Sequence, residues 1–171
     1  MSINLNSIGS YSVPVTHAWT DTDCMLYALS IGLSYPDFTQ DLQYTTENTK
    51  GVELQVIPTF ASIIGRNQEA EWLAFGPSPG QTFLASEEIV LMDAIPTSGQ
   101  VQVHTRVENV FDKGSGALLE MFSTASDVNA GKDLFTRRWT VFIRDEGGFG
   151  GERGPSVPKL SAFSPEHTIE C

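Results

Sequence analysis

The chain has 171 residues, of which 40% are hydrophobic and 18% charged, enough to bury a core and too apolar for a disordered segment. Ten basic residues against twenty-one acidic ones give a net charge of −11 and a pI near 4.5. Such a surface repels a phosphate backbone and argues against a nucleic-acid partner. No apolar run approaches the length of a membrane helix. Met1 to Asn6 has neither the basic start nor the apolar core of a signal peptide, and Thr168 to Cys171 is not a Ser-Lys-Leu address. Cys24 and Cys171 give no disulfide framework and no metal spacing. The expectation is a cytoplasmic protein in a reducing compartment, with a peroxisomal location open for a eukaryotic chain.

Residues 1 to 16 read as an extended lead-in. Thr20 or Asp21 caps a helix running to about Ile31, with Asp21 and Asp23 at its positive end and Gly32 closing it. Pro36 keeps the next stretch from being helical, and Thr45 to Gly51 is a polar loop. Val56-Ile57-Pro58-Thr59-Phe60-Ala61-Ser62-Ile63-Ile64-Gly65 then predicts a helix with proline in its first turn and glycine just past its end. Apolar on every side, it is expected to be buried.

The second half predicts strands. Glu87 to Asp93 is a short apolar segment, and Ile95 to Gly99 a turn. Val101 to Val110 alternates with period two, which puts Val101, Val103, Thr105, Val107 and Asn109 on one face and Gln102, His104, Arg106, Glu108 and Val110 on the other. Asp112 to Gly116 reads as a hairpin loop. Leu118 to Ser126 and Leu134 to Arg144 are further strands, joined by a polar turn at Asp127 to Lys132. Helices followed by long antiparallel strands predict an α+β domain with helix packed on one sheet face. The domain is expected to span residues 1–155, and residues 156–171, which lack any period, to form a linker or tail.

No catalytic constellation stands out. Gly147 to Gly151 follows a strand but opens no helix and lacks the lysine and serine of a phosphate loop, so a turn with Phe149 tucked into the core is favoured. His17, His104 and His167 have neither a nucleophile nor a metal-ligand partner at a meaningful spacing, and His104 falls on the polar face of its strand. Ser62 is expected to bond a helix carbonyl, Trp19, Trp72 and Trp139 to pack, and Glu87 and Glu88 to sit at an exposed edge.

Five segments taken in order resemble one family. They are Leu26-Tyr27-Ala28-Leu29-Ser30-Ile31-Gly32, Asp41 to Glu47, Ile57 to Gly65, Asp112 to Gly116, and Gly147 to Gly151 with Arg153. Over roughly Asp21 to Pro155 the chain resembles the N-terminal half of the (R)-specific enoyl-CoA hydratases, the hydratase 2 or MaoC-like dehydratase family. The resemblance implies a hot-dog fold, an antiparallel sheet wrapped around a short central helix, with Asp41 to Glu47 as a strand. In that family the second half carries a Tyr-Arg-Leu-Ser-Gly-Asp-x-Asn-Pro-Leu-His motif, whose aspartate and histidine activate water. Here Tyr27-Ala28-Leu29-Ser30 is followed by Ile31 and Gly32, so no acid–base pair is expected and no catalytic residue is assigned. The implied role is to accommodate the acyl chain, with Pro58, Thr59 and Phe60 along its pocket and Arg153 near a CoA phosphate. The acidic surface opposes CoA unless a local basic patch offsets it.

The implied partners are an acyl- or enoyl-CoA and a second hot-dog domain or catalytic subunit, otherwise a second copy, with no metal and no cofactor beyond the CoA thioester substrate. A fragment of a longer hydratase, a natural subunit and a stand-alone acyl-CoA-binding or scaffold protein all remain open. A thioesterase ranks last, because Pro58 to Gly65 offers no carboxylate.

Overall fold

The computed structural model describes residues 3–75 and 82–156. Strand β1 (Val15–Trp19) leads into helix α1 (Asp21–Ser30), followed by a short helix α2 (Leu42–Thr45). A 3-10 turn, Pro58–Phe60, runs directly into α3 (Ala61–Ile64), and after a break comes α4 (Gln68–Phe75). Four strands complete the chain: β2 (Thr82–Leu91), β3 (Gly99–Asp112), β4 (Gly116–Asp127) and β5 (Asp133–Arg144). They form one antiparallel sheet with β1 in the order β1-β3-β4-β5-β2, so the short β1 and the ten-residue β2 are its edges. The expected α+β hot-dog architecture is what the chain adopts.

Alternation builds the sheet. Val101, Val103 and Val107 from β3, Leu119, Met121 and Ala125 from β4, and Phe135, Trp139 and Val141 from β5 are buried on one face. The helices cover this face, α3 lying over β1 and β5 and α4 over β3 and β4. On the other face Arg106 pairs with Glu108 (2.5 Å), Glu108 with Arg138 (3.3 Å), and Asn109 donates to Glu120 (2.6 Å).

The expected face of β3 is corrected at its far end. Val107 pairs with Met121 but Asn109 with Glu120, so Glu108 is an extra residue in a β-bulge. The bulge exchanges the two faces beyond it. Asn109 turns outward to Glu120, and Val110 turns inward to the core.

Other expectations are corrected nearer the N-terminus. The lead-in contains a 3-10 turn at Leu5–Ser7 and gives way to β1 at Val15. Asp41 to Glu47 is not a strand: Asp41 takes a left-handed conformation (φ 54°) and Leu42–Thr45 closes one helical turn, ended by Thr46 donating to the Leu42 carbonyl. Helix α4 had no sequence assignment. Strand β2 begins five residues before the expected Glu87. Helix α1 is as expected, with a reciprocal capping box between Thr20 and Asp23.

The Gly147–Gly151 turn wraps a carboxylate. Asp112, buried at the end of β3, accepts from the backbone N–H groups of Gly114, Gly148 and Gly150, each at 2.8 Å. Gly147 passes so close to the hairpin that a Cβ would stand 2.4 Å from the Gly114 carbonyl oxygen, which excludes any other residue. Phe149 is partly buried against the cluster around Val107 and Met121, as expected for a packed turn. The N–H donors of Gly148 and then Gly114, with those of Gly150 and Gly151, hold the Asp112 carboxyl below its ordinary value against the opposing effect of burial.

A depressed carboxyl contributes stability that is fully present above its unfolded pKa, near 3.9, and is lost as pH falls through the folded value. Asp112→Asn is therefore expected to lower Tm at pH 7, and the gap to wild type is expected to shrink as pH is taken below about 4. Thermal melts of both proteins between pH 7 and pH 3 check this. A gap that stays constant across that range contradicts it.

Candidate functional site

Two adjoining hollows run along the seam between the Pro58–Ile64 helical segment and the edge of the sheet. The first, 410 Å³, is lined by Pro58, Thr59, Ser62, Glu87, Ile89 and Leu91. The second, 400 Å³, shares Ser62 and Glu87 and continues past Arg66, Glu71, Arg137 and Trp139. Together they form one groove, apolar at the Pro58 end and charged at the other.

Local sequence makes the apolar end. Pro58 starts the helical segment because its fixed φ suits a first turn and its missing N–H would have no partner there. Gly65 ends it with a close approach, since a Cβ would stand 2.6 Å from the Ala61 carbonyl and 2.7 Å from the Phe135 ring. The segment is not buried on every side. Phe60, Ala61 and Ile64 enter the core, while Thr59 is exposed and Ile63 is 53% exposed. Tyr27 of α1 donates to Thr59 Oγ1 at 2.9 Å and fixes the rim of the groove.

The expected pocket residues separate accordingly. Pro58 and Thr59 line the groove. Phe60 turns away, 3% exposed, and packs against Trp19 (centroids 6.5 Å, edge-on) and Tyr27 (5.4 Å). It borders a different hollow of 290 Å³ with Trp19, Leu26 and Tyr27. Arg153 lies at the β3–β4 hairpin, where its guanidinium donates to the Lys113 carbonyl (3.4 Å) and its own carbonyl accepts from the Lys113 ammonium. It lines neither half of the groove.

The charged end centres on Arg137. Its side chain is 8% exposed, pairs through Nε with Glu87 Oε1 at 2.5 Å, and stacks over the Trp139 ring at 4.1 Å. Glu87 sits exposed on its edge strand, as expected, while its side chain, 20% exposed, is drawn against Arg137. Burial pushes the Glu71 carboxyl up, opposed by the Trp139 indole, Arg66 and Arg137. Sequence reasoning passed over Arg137, yet a signal was present. It occupies an inward position in the alternation Phe135, Arg137, Trp139, Val141, where a charge needs a partner.

This arrangement suits holding an apolar chain. Glu87 is committed to Arg137, and neither described histidine approaches it. His17 Nε2 lies 2.6 Å from the Arg66 carbonyl, and His104 bonds Gln102 on the outer face. His167 lies outside the described residues. Among the described residues no three His, Cys, Asp or Glu side chains are grouped to hold a metal, and no helix is long and apolar enough to cross a membrane. Burial, with help from Asp23 and Asp21, raises the Cys24 thiol to about 11, so it is no nucleophile at neutral pH.

Breaking one partner of a sheltered ion pair strands the other. Glu87→Ala is expected to cost about 2–4 kcal/mol in urea unfolding, and Glu87→Leu combined with Arg137→Met to recover most of it. A double variant no more stable than the single one contradicts this assignment.

Residues 17–145 match the family model for the MFE-2 hydratase 2 N-terminal domain. Over 174 aligned residues the chain is 34% identical to the 3-hydroxyacyl-thioester dehydratase Y of Mycobacterium tuberculosis, covering 99% of this chain and 59% of that protein. The chain thus spans a little over half the length of this relative. Among solved structures it resembles a MaoC-like dehydratase from Phytophthora capsici, with TM-score 0.69, 22% identity, and coverage of 96% of this chain and 58% of that one. It also resembles a chain of the C-terminally truncated HadBC (3R-hydroxyacyl-ACP dehydratase) complex of Mycobacterium tuberculosis, with TM-score 0.61, 10% identity, and coverage of 80% and 96%.

Proposed function

Because the chain belongs to the MFE-2 hydratase 2 N-terminal domain family, we propose that it is the acyl-accommodating half of an (R)-specific 2-enoyl-CoA hydratase. Its hot-dog domain works beside a catalytic hot-dog half or subunit, which supplies the aspartate and histidine that add water to a trans-2-enoyl-CoA. The observation that carries this reading is the groove beside Pro58 and Thr59, whose far wall is Ile89 and Leu91 of an edge strand. An apolar chain laid there covers apolar side chains at roughly 25 cal/mol per Å² removed from water. The Glu87–Arg137 pair bounds the apolar stretch.

Strand β2 supports the pairing. It bonds β5 on one side only and exposes Phe83, Leu84 and Val90. Among the described residues no strand pairs with the outer edge of β2, and an edge with apolar side chains invites a neighbouring sheet. The fold's occurrence in the HadBC complex is consistent with such an arrangement. Pro58 and Thr59 contact the acyl chain in this reading. Phe60 supports them from behind, and Arg153 reaches CoA only if its hairpin faces the partner.

Assays of the purified chain with trans-2-enoyl-CoA are expected to show no hydration alone and turnover to the (R)-3-hydroxyacyl product after reconstitution with a catalytic hot-dog partner. Filling the groove with Ser62→Trp should lower the kcat/KM of the pair about tenfold or more for long acyl chains, while a four-carbon substrate is little affected. Normal hydration by the isolated chain overturns the half-enzyme reading. Retained acyl-CoA binding with no reconstitution by any catalytic partner favours a binding module instead.

A further inference from the structure

The helix-covered face of the sheet carries a polar row that runs inward from Arg137. Thr105, Ser123 and Arg137 lie opposite one another on β3, β4 and β5, and all three are buried. On one side of the row sits the cluster of Val101, Val103, Ala125 and Phe135, on the other that of Val107, Met121 and Trp139. Over the row lies the break between α3 and α4. Asn67, 1% exposed, donates there through Nδ2 to Ser12 Oγ (2.9 Å) and the Val13 carbonyl (3.3 Å), and Ser12 N donates to the Thr105 carbonyl (2.9 Å).

Among the described residues Asn67 Oδ1, Thr105 Oγ1 and Ser123 Oγ are buried without a hydrogen-bond partner, and Trp139 Nε1, which lies by the Glu71 carboxyl, makes no close one. The first three belong to this row or border it. Each buried polar atom left unpaired costs on the order of tenfold in the folding equilibrium. Three orphans on or beside one cross-strand row point to a common occupant rather than to three separate losses.

The chemistry of the set selects that occupant. Asn67 Oδ1 only accepts, and the two hydroxyls both donate and accept. A cation would find no carboxylate on the row, where Arg137 already carries a positive charge. An anion would meet the Asn67 carbonyl oxygen. A hydrocarbon would satisfy none of them. Water, with two donors and two acceptors, matches the set. The charged half of the groove is lined by Arg137 and Trp139, and Arg137 is the row's member on β5.

We propose that the Thr105–Ser123 row beneath Asn67 is a slot for ordered water, running inward from Arg137 at the charged end of the groove. Water there joins the two apolar clusters across a seam that side chains alone leave unpaired. This holds whether or not the chain serves a hydratase.

Magnetic relaxation dispersion of water nuclei on the wild-type protein tests occupancy without any substitution. Long-lived internal water is the expected result. A crystal structure fine enough to place solvent should show density within hydrogen-bond distance of Thr105 Oγ1 and Ser123 Oγ. The near-isosteric Thr105→Val separates a wet slot from a dry one by sign. A water bridge predicts a Tm lower by about 2–4 °C, because the remaining partners lose a bond. A dry row predicts a higher Tm, because an orphan is removed. Absent long-lived water, an empty row in the crystal, or a Tm raised by Thr105→Val each overturns the proposal.

Discussion

The contact between Gly65 and the ring of Phe135 sets the geometry on which the rest depends. No side chain fits at Gly65, because a Cβ would stand 2.7 Å from that ring. The backbone therefore presses onto the sheet there, and the helical layer breaks at residues 65–67 into two short pieces. The first piece is held by Phe60, Ala61 and Ile64 in one apolar cluster, the second by Ala70 and Ala74 in the other. A helix continuous from Pro58 to Phe75 would bury one unbroken stripe. The broken one leaves a polar row beneath the break, and it leaves β2 without a helical cover, its residues exposed or half-exposed. Groove, edge and row thus descend from one close approach.

Much of this was legible in the sequence, for identifiable reasons. The three long strands announced themselves by period-two alternation. The cap of α1 did so by Thr20 and Asp23, and the start of the Pro58 segment by its proline. What escaped was decided by tertiary contact. The bulge at Glu108 reverses the faces of Asn109 and Val110, and only the pairing with Glu120 reveals it. Helix α2 is one turn long, below the length at which a period can be seen. Phe60 could be assigned to the helix but not to a side of it, because a segment apolar all round gives no moment to orient it. At the site, Pro58 and Thr59 line the groove beside which they were expected, while the pairing of Arg137 with Glu87 was not foreseen. These two lie fifty residues apart and meet only because β5 and β2 pair.

Electrostatics divides the molecule by role. A net charge of −11 disfavours any polyanion approaching at random. The groove contains both signs. Arg66 and Arg137 stand among Glu71 and Glu87, and Arg137 is held between a carboxylate and an indole face. The Lys113–Arg153 hairpin is a further cationic point, and its groups are bonded to backbone carbonyls. On the proposed reading, the nucleotide end of the thioester is bound mainly by the other half, while this half contributes apolar surface.

The same division shows in how the carboxylates beside the groove are held by their neighbours. A general base needs an accessible carboxylate near the reacting carbon, with a second group to manage the proton. Glu87 is paired with Arg137 at 2.5 Å, and Glu71 is pushed toward its neutral form by burial. Both carboxyls are thus occupied as structural groups at the floor of a channel whose other end is hydrocarbon. On the proposed reading the acid and base come from a partner, and the exposed edge strand β2 offers a surface on which that partner can sit.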